Sequence, residues 1–136
     1  MRILLDTNII LDLLLDRYPY AEKAAQLFAL IENNKYSGYL CANSLTTVNY
    51  FLQKALGKTR SREIVNDLLN LFSIAEVNKK VLQAAQKSNF NDFEDSVIYE
   101  AALASKVDAI ITRNTKDFSQ SKINVYSPKE FLELTA

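Results

Sequence analysis

Apolar residues in this chain form two kinds of run, short and unbroken or long and periodic, and the two kinds alternate. Ile3-Leu4-Leu5, Tyr39 to Ala42, Ile74 to Val77, Ala109 to Thr112 and Ile123 to Tyr126 are short runs, of the length expected of buried strands. The stretches between them repeat their apolar residues at helical intervals. Asn8 to Arg17 is the first, stopped at Tyr18-Pro19-Tyr20 because proline cannot continue a helix interior. Ala24, Leu27, Phe28 and Ile31 give one face to a helix over 21–31, closed by Asn33-Asn34. Leu45, Val48, Phe51, Leu52, Ala55 and Leu56 predict a helix capped by Ser44 and ended by Gly57. Further helices are predicted over 61–72, on Ile64, Val65, Leu68, Leu69 and Phe72, and over 79–87. Ser96 to Val107 is apolar on nearly every side, the pattern of a deeply buried helix. Arg113 to Ser121 reads as a polar loop, and Ser127-Pro128 opens a last helix with serine as cap and proline at the first position.

Strands separated by helices predict an α/β fold with a mainly parallel sheet. No repeat, low-complexity tract or linker interrupts the pattern, so residues 1–136 are expected to form a single domain. A helix between parallel strands runs antiparallel to them, which puts its N-terminus at the carboxyl edge of the sheet, where open α/β sheets bind ligands. Asp6 follows the first strand directly. The start of the Leu45 helix, the run Asn91-Asp92-Phe93-Glu94-Asp95 and the run Thr112 to Asp117 fall on the same edge.

Asp6, Asp92, Glu94, Asp95 and Asp117 are therefore expected to converge. Two carboxylates ~5 Å apart repel by about 3 kcal/mol at an effective dielectric near 20, so such a cluster must take up protons or hold a cation. Histidine is absent and the only cysteine, Cys41, sits in an apolar run that suits a small core residue. Oxygen ligands alone favour Mg²⁺ or Mn²⁺, and the chemistry implied is metal-assisted phosphodiester hydrolysis. Each acid also has a plainer reading. Asp92 and Asp95 could be a helix cap and a first-turn acid that suits the dipole. Asp6 could cap the first helix, Asp117 could be a loop acid, and Glu94 is left out of direct contact with an ion. Asp12 and Asp16 read as solvated acids on the first helix. Arg113 and Lys116 stand beside the site, either to steady substrate phosphates or as solvated loop charges.

Composition removes several alternatives. Sixteen basic and sixteen acidic residues cancel, which disfavours capture of nucleic acid by bulk positive charge but leaves local patches open. Only Gly38 and Gly57 are present, too few for a phosphate-binding or dinucleotide loop. Without histidine, a serine or threonine nucleophile has no triad partner. A lone cysteine cannot form an internal disulfide, as expected in a reducing cytoplasm. No targeting segment or membrane-length apolar run is visible, so a soluble cytoplasmic protein with no membrane partner is expected.

Taken in order, Leu5-Asp6-Thr7-Asn8-Ile9, Asp92-Phe93-Glu94-Asp95 before an Ala-rich helix, Ile111-Thr112-Arg113-Asn114 with Asp117-Phe118, and the tail Ser127-Pro128-Lys129-Glu130-Phe131 resemble the PIN-domain ribonucleases, especially the VapC-like toxins of toxin–antitoxin systems. The resemblance covers essentially the whole chain. It implies a three-layer α/β/α fold with about five parallel strands and an endoribonuclease site of three or four acids that binds Mg²⁺ or Mn²⁺ and leaves a 3′-hydroxyl and a 5′-phosphate. By position, Asp6, Asp95 and Asp117 would hold the metal, Asp92 would assist, and Asn114 occupies a slot that is Asp in many relatives. Asn8 and Thr112 would support the cluster by hydrogen bonding. The partners implied are RNA and a small antitoxin that covers the acidic cleft. A homodimer would use the apolar stripes of 21–31 and 61–72, which core packing explains equally well. One departure stands out. The family's Thr-x-x-Glu after the second strand corresponds here to Thr46-Thr47-Val48-Asn49, and the missing charge leaves room for an alternative, an inactive module that still binds nucleic acid or protein.

Overall fold

The structure, a computed structural model, describes residues 1–136. Its centre is β1 (Arg2–Leu5), where Ile3, Leu4 and Leu5 are wholly buried. Side chains alternate across a strand, and β1 feeds two cores. Ile3 and Leu5 face one, Leu4 the other. The chain continues through α1 (Thr7–Leu14), α2 (Ala21–Glu32), β2 (Ser37–Cys41), α3 (Ala42–Leu56), α4 (Lys58–Leu71), β3 (Ser73–Ala75) and α5 (Lys79–Gln86). It ends with α6 (Phe93–Ala104), β4 (Ala109–Ile111), a 3₁₀ turn over Thr115–Phe118, β5 (Asn124–Tyr126) and α7 (Pro128–Thr135).

The five strands form one sheet in the order β3-β2-β1-β4-β5, and every neighbouring pair is parallel. Helices α1, α2, α3, α4 and α7 cover one face, while α5 and α6 cover the other. This is the expected three-layer α/β/α arrangement. From β1 the chain steps outward to β2 and β3, then crosses to β4 and β5 on the far side. Strand order therefore reverses between β1 and β4, and the carboxyl ends of those two strands flank the crevice that an open α/β sheet offers to ligands.

Several element boundaries differ from expectation for identifiable reasons. Ser44 does not cap α3: the helix starts at Ala42, with Cys41 at the cap position, and Ser44 is buried inside its first turn. Helix α6 begins earlier than expected because Asp92 caps it, its Oδ1 accepting the Asp95 amide at 3.0 Å. Helix α4 starts immediately after Gly57, whose φ of 87°, costly for a side chain, lets one residue join two helices. The segment 113–121 is polar but not a plain loop, since the 3₁₀ turn buries Phe118 beneath α6. The apolar stripes of α2 and α4 go largely into the core, including Phe28 and Phe72, whose rings meet edge-on at 5.3 Å, while Leu69 stays exposed. No helix is long and apolar enough to cross a membrane.

Candidate active site

Asp6 sits at the strand-order reversal, directly after β1. Its backbone N–H donates to the Ile111 carbonyl at 2.9 Å, carrying the β1–β4 pairing one residue further. Its side chain is held from both sides. Oδ1 accepts the Thr7 amide at 2.8 Å, so Asp6 does cap α1, and Oδ2 accepts the Thr112 hydroxyl at 2.8 Å. Thr112 is itself fully buried, and its Oγ1 accepts the Asn114 amide at 3.1 Å. The Thr7 hydroxyl lies 2.7 Å from the Ser44 hydroxyl, tying α1 to α3. Asp6 forms no ion pair; the chain's three involve other acids. Burial pushes its pKa up, the Thr112 and Thr7 hydrogen bonds work against this, Asp117 adds to it, and Arg113 opposes it.

Asp6 opens onto a cleft of about 210 Å³ lined mostly by polar groups, including Glu94, Asp95 and Asp117. Asp95 lines the cleft from the first turn of α6, where its backbone N–H donates to Asp92. Burial, then Asp6, Asp92, Asp117 and Glu94 in turn, raise the Asp95 pKa to about 7. Asp117 enters from the exposed side of the 3₁₀ turn. Asp92 lies outside this cleft and lines an adjoining one of about 100 Å³ with Asp95, Lys116 and Asp117. Asp92 is thus both cap and neighbouring charge.

Asp6, Asp95 and Asp117 are cleft neighbours that feel one another's charge. They do not make a closed cage, for no three of the chain's acids and thiols stand together as a ready-made ligand set. An ion held here would have to keep part of its water shell. Mg²⁺ keeps several waters and takes only one or two carboxylates directly, whereas a dehydrated ion needs an all-protein cage. The donors that line the cleft are oxygens and amides, which also fits a hard cation.

The remaining expected residues are less uniform. Asn8 lines the cleft, but its amide oxygen faces Arg17 at 3.5 Å and touches no acid. Asn114 lines the cleft as well. Asn49 does not. It faces a groove shared with Gln53, Lys58 and Arg62, because residues two apart on a helix point to nearly opposite sides. From the run Thr46 to Asn49 it is Thr47 that meets the cleft, joined by Asn43, Ser44 and Phe51 of the same helix. Arg113 is not free for phosphate: its Nε and Nη2 donate to Asp12 at 2.8 and 3.2 Å. Lys116 remains exposed beside Asp117.

Asp12 reverses its sequence reading. It is 1% exposed, not solvated, because α1 is wedged between α2 and α3 and has little free surface. Asp16 lies beyond the helix, exposed, at φ 49°. Thr7, Asn43, Ser44 and Thr47 line the cleft without an individual mark of function in the sequence, since none is ionisable and none falls at a position that the family resemblance assigns to the site. The run Asn43-Ser44-Leu45-Thr46-Thr47 at the head of a helix on the ligand-binding edge was the available signal.

Comparison with known proteins places the chain in a family and its fold among solved structures. Residues 2–116 match the family model described as a PIN domain. The chain is 28% identical over 138 residues to a protein named Ribonuclease VapC1 of Aquifex aeolicus (strain VF5), an alignment that spans 97% of this chain and 94% of that one. Among solved structures, it resembles a toxin–antitoxin complex from Klebsiella pneumoniae with TM-score 0.70 at 24% identity, covering 93% of this chain and 97% of the other. It likewise resembles FitAcB from Neisseria gonorrhoeae, with TM-score 0.67 at 23% identity over 93% and 98% of the two chains.

Proposed function

Because the chain belongs to the PIN-domain family, we propose that it is a divalent-metal-dependent endoribonuclease and the toxin of a toxin–antitoxin pair, working in the cytoplasm. The observation that carries the reading is Asp6. A carboxylate buried at the strand-order reversal, hydrogen-bonded but paired with no cation, shares a cleft with Asp95 and Asp117 and with no lysine or arginine. The likeness to Ribonuclease VapC1 supports RNA as substrate, and the likeness to toxin–antitoxin complexes supports an antitoxin as partner.

Asp6, Asp95 and Asp117 would hold Mg²⁺ or Mn²⁺, directly or through water, and the bound ion would supply charge neutralisation at phosphorus and an acidified water for hydrolysis. The chain's own part is positioning. Thr112 and Thr7 fix both oxygens of Asp6, so its carboxylate needs no reorganisation on binding. Asp95, its pKa raised to about 7, holds a proton more readily than an ordinary carboxyl until a cation replaces it. The α3 wall brings Asn43, Ser44 and Thr47 but no acid, which favours one ion over two.

The test is cleavage of single-stranded RNA by purified protein in Mn²⁺ or Mg²⁺, beside a chelator control and Asp6→Asn. Metal-dependent cutting that disappears in Asp6→Asn is expected. Cutting that survives the substitution unchanged removes Asp6 from the site.

A further inference from the structure

A second concavity, about 420 Å³, opens beside the acid cleft, and Asn114 lines both. Its walls include Asp12 from α1, Tyr20 and Lys23 from the start of α2, Arg113, and Lys129 from the first turn of α7. The sign of the charge reverses across Asn114. Four carboxylates and no lysine or arginine line the acid cleft. Three cations line the groove against Asp12 alone, and Asp12 is already consumed by Arg113 and Arg17. Lys23 and Lys129 are exposed and make no ion pair.

Tyr20 lines the same groove as the two lysines. The guanidinium carbon of Arg113 lies 3.9 Å from its ring centroid, and that guanidinium is fixed in turn by two hydrogen bonds to Asp12. One ring face is thereby covered by a planar cation, while the residue stays 43% exposed. An aromatic ring braced by a cation and still partly exposed suits the stacking of a nucleobase, in a groove that also carries cations able to meet a phosphate backbone.

A strand cut in the acid cleft must leave it at its ends, and the exits are unequal. The exit past Asn89 and Asp92 sets Asp92, Asp95 and Asp117 against the single Lys116, which repels a polyanion. The basic groove at Lys58 and Arg62 shares no residue with the acid cleft. We propose that the Tyr20 groove carries the single-stranded RNA flanking the bond cut in the acid cleft, with Lys23 and Lys129 neutralising backbone phosphates and the free face of Tyr20 stacking one unpaired base. Arg113, latched by Asp12, braces the ring and is a positioning residue. The inference rests on the ribonuclease reading of the acid cleft.

Its test separates the two. An unstructured, fluorescent RNA decamer is bound in chelator across a range of salt, and the same RNA is then cut in Mn²⁺. Wild type, K23A/K129A, Tyr20→Leu and Tyr20→Phe are compared, with thermal melts to confirm folding. Loss of two phosphate contacts should flatten the slope of log affinity against log salt by about 1.4, at roughly 0.7 per contact for single strands. Tyr20→Leu should weaken binding about tenfold at unchanged slope, and Tyr20→Phe should restore it. In cleavage both losses should raise KM and leave kcat within about twofold, as expected of binding shared by ground and transition states. RNA that binds with this slope but is never cut defeats the ribonuclease reading and leaves the groove assignment standing. Cleavage whose KM, affinity and slope ignore all the groove variants overturns the groove. Binding of an acidic peptide but not RNA overturns it in favour of a protein partner.

Discussion

Asp6 and Asp12 belong to the same N-terminal segment, and folding removes both from solvent, leaving them 7% and 1% exposed. Their surroundings then diverge. Asp12 receives the guanidinium of Arg113 through two hydrogen bonds and that of Arg17 at 3.8 Å. Asp6 receives a hydroxyl and a backbone amide, but no cation. A buried charge is costly unless it is paired. The chain pairs Asp12 itself and leaves Asp6 to a proton or to an ion from solution. This is the contrast expected between a structural acid and a functional one, since burial is common to both and only the source of the compensating charge differs.

The comparison can be broken most forcefully at Asp12. Asp12→Ala strands Arg113 between α1 and the segment after β4, and removing one partner of a buried pair costs about 3 kcal/mol at the low end of the range, which urea denaturation would register. The same variant should bind Mn²⁺ as wild type does. At Asp6 the expectation inverts. Asp6→Asn should cut RNA cleavage by at least about 100-fold, the upper range for losing even an outer-sphere partner of a metal, with folding stability in chelator unchanged or raised. A large stability loss in Asp6→Asn would make Asp6 a second Asp12.

Acidity gives a third handle. Burial and its acidic neighbours raise Asp95 from 3.8 to about 7, so the native state keeps a proton that the unfolded chain releases. Its contribution to stability is then complete below about pH 4 and lost as pH rises through about 7. Asp95 is partly exposed, and screening reduces the effect to about 1–2 kcal/mol. Asp6, also raised, acts with the same sign. Thermal melts in chelator should show stability falling over this window, Asp95→Asn should flatten the fall, and Mg²⁺ should stabilise more at pH 8 than at pH 5. The smallest expected effect is at Thr112→Val, which removes one hydroxyl donor from Asp6. It should lower Mn²⁺ affinity about tenfold, the low end for an outer-sphere partner, as a metal titration followed by cleavage rate would show.

The sequence made the sheet edge legible because its signals there are local. An apolar run that stops at Asp6, and acids at the heads of α6 and the 3₁₀ turn, follow from periodicity plus topology. What escaped is decided by rotation about a helix axis or by distant partners. A motif match puts Asn49 at the site, but helical geometry turns Thr47 into the cleft in its place. Ser44 resembles a cap and is instead a buried link to Thr7. Asp12 looks solvated because its partner, Arg113, is far away in sequence, and no periodicity in α1 announces it. The cap readings of Asp6 and Asp92 were sound as well, since each accepts a backbone amide and an oxygen so engaged does not cancel a charge.

If Asp6 and Asp12 differ in this way, the Asp6 cleft, and not the Asp12 pair, completes itself with an ion. Calorimetric titration of Mn²⁺ into wild type, Asp6→Asn and Asp12→Asn at pH 7 tests this most directly. One ion per chain is expected for wild type and for Asp12→Asn, with release of part of a proton from the acidic cleft, and no comparable binding for Asp6→Asn. Equal binding by wild type and Asp6→Asn, or loss of binding in Asp12→Asn alone, would contradict it.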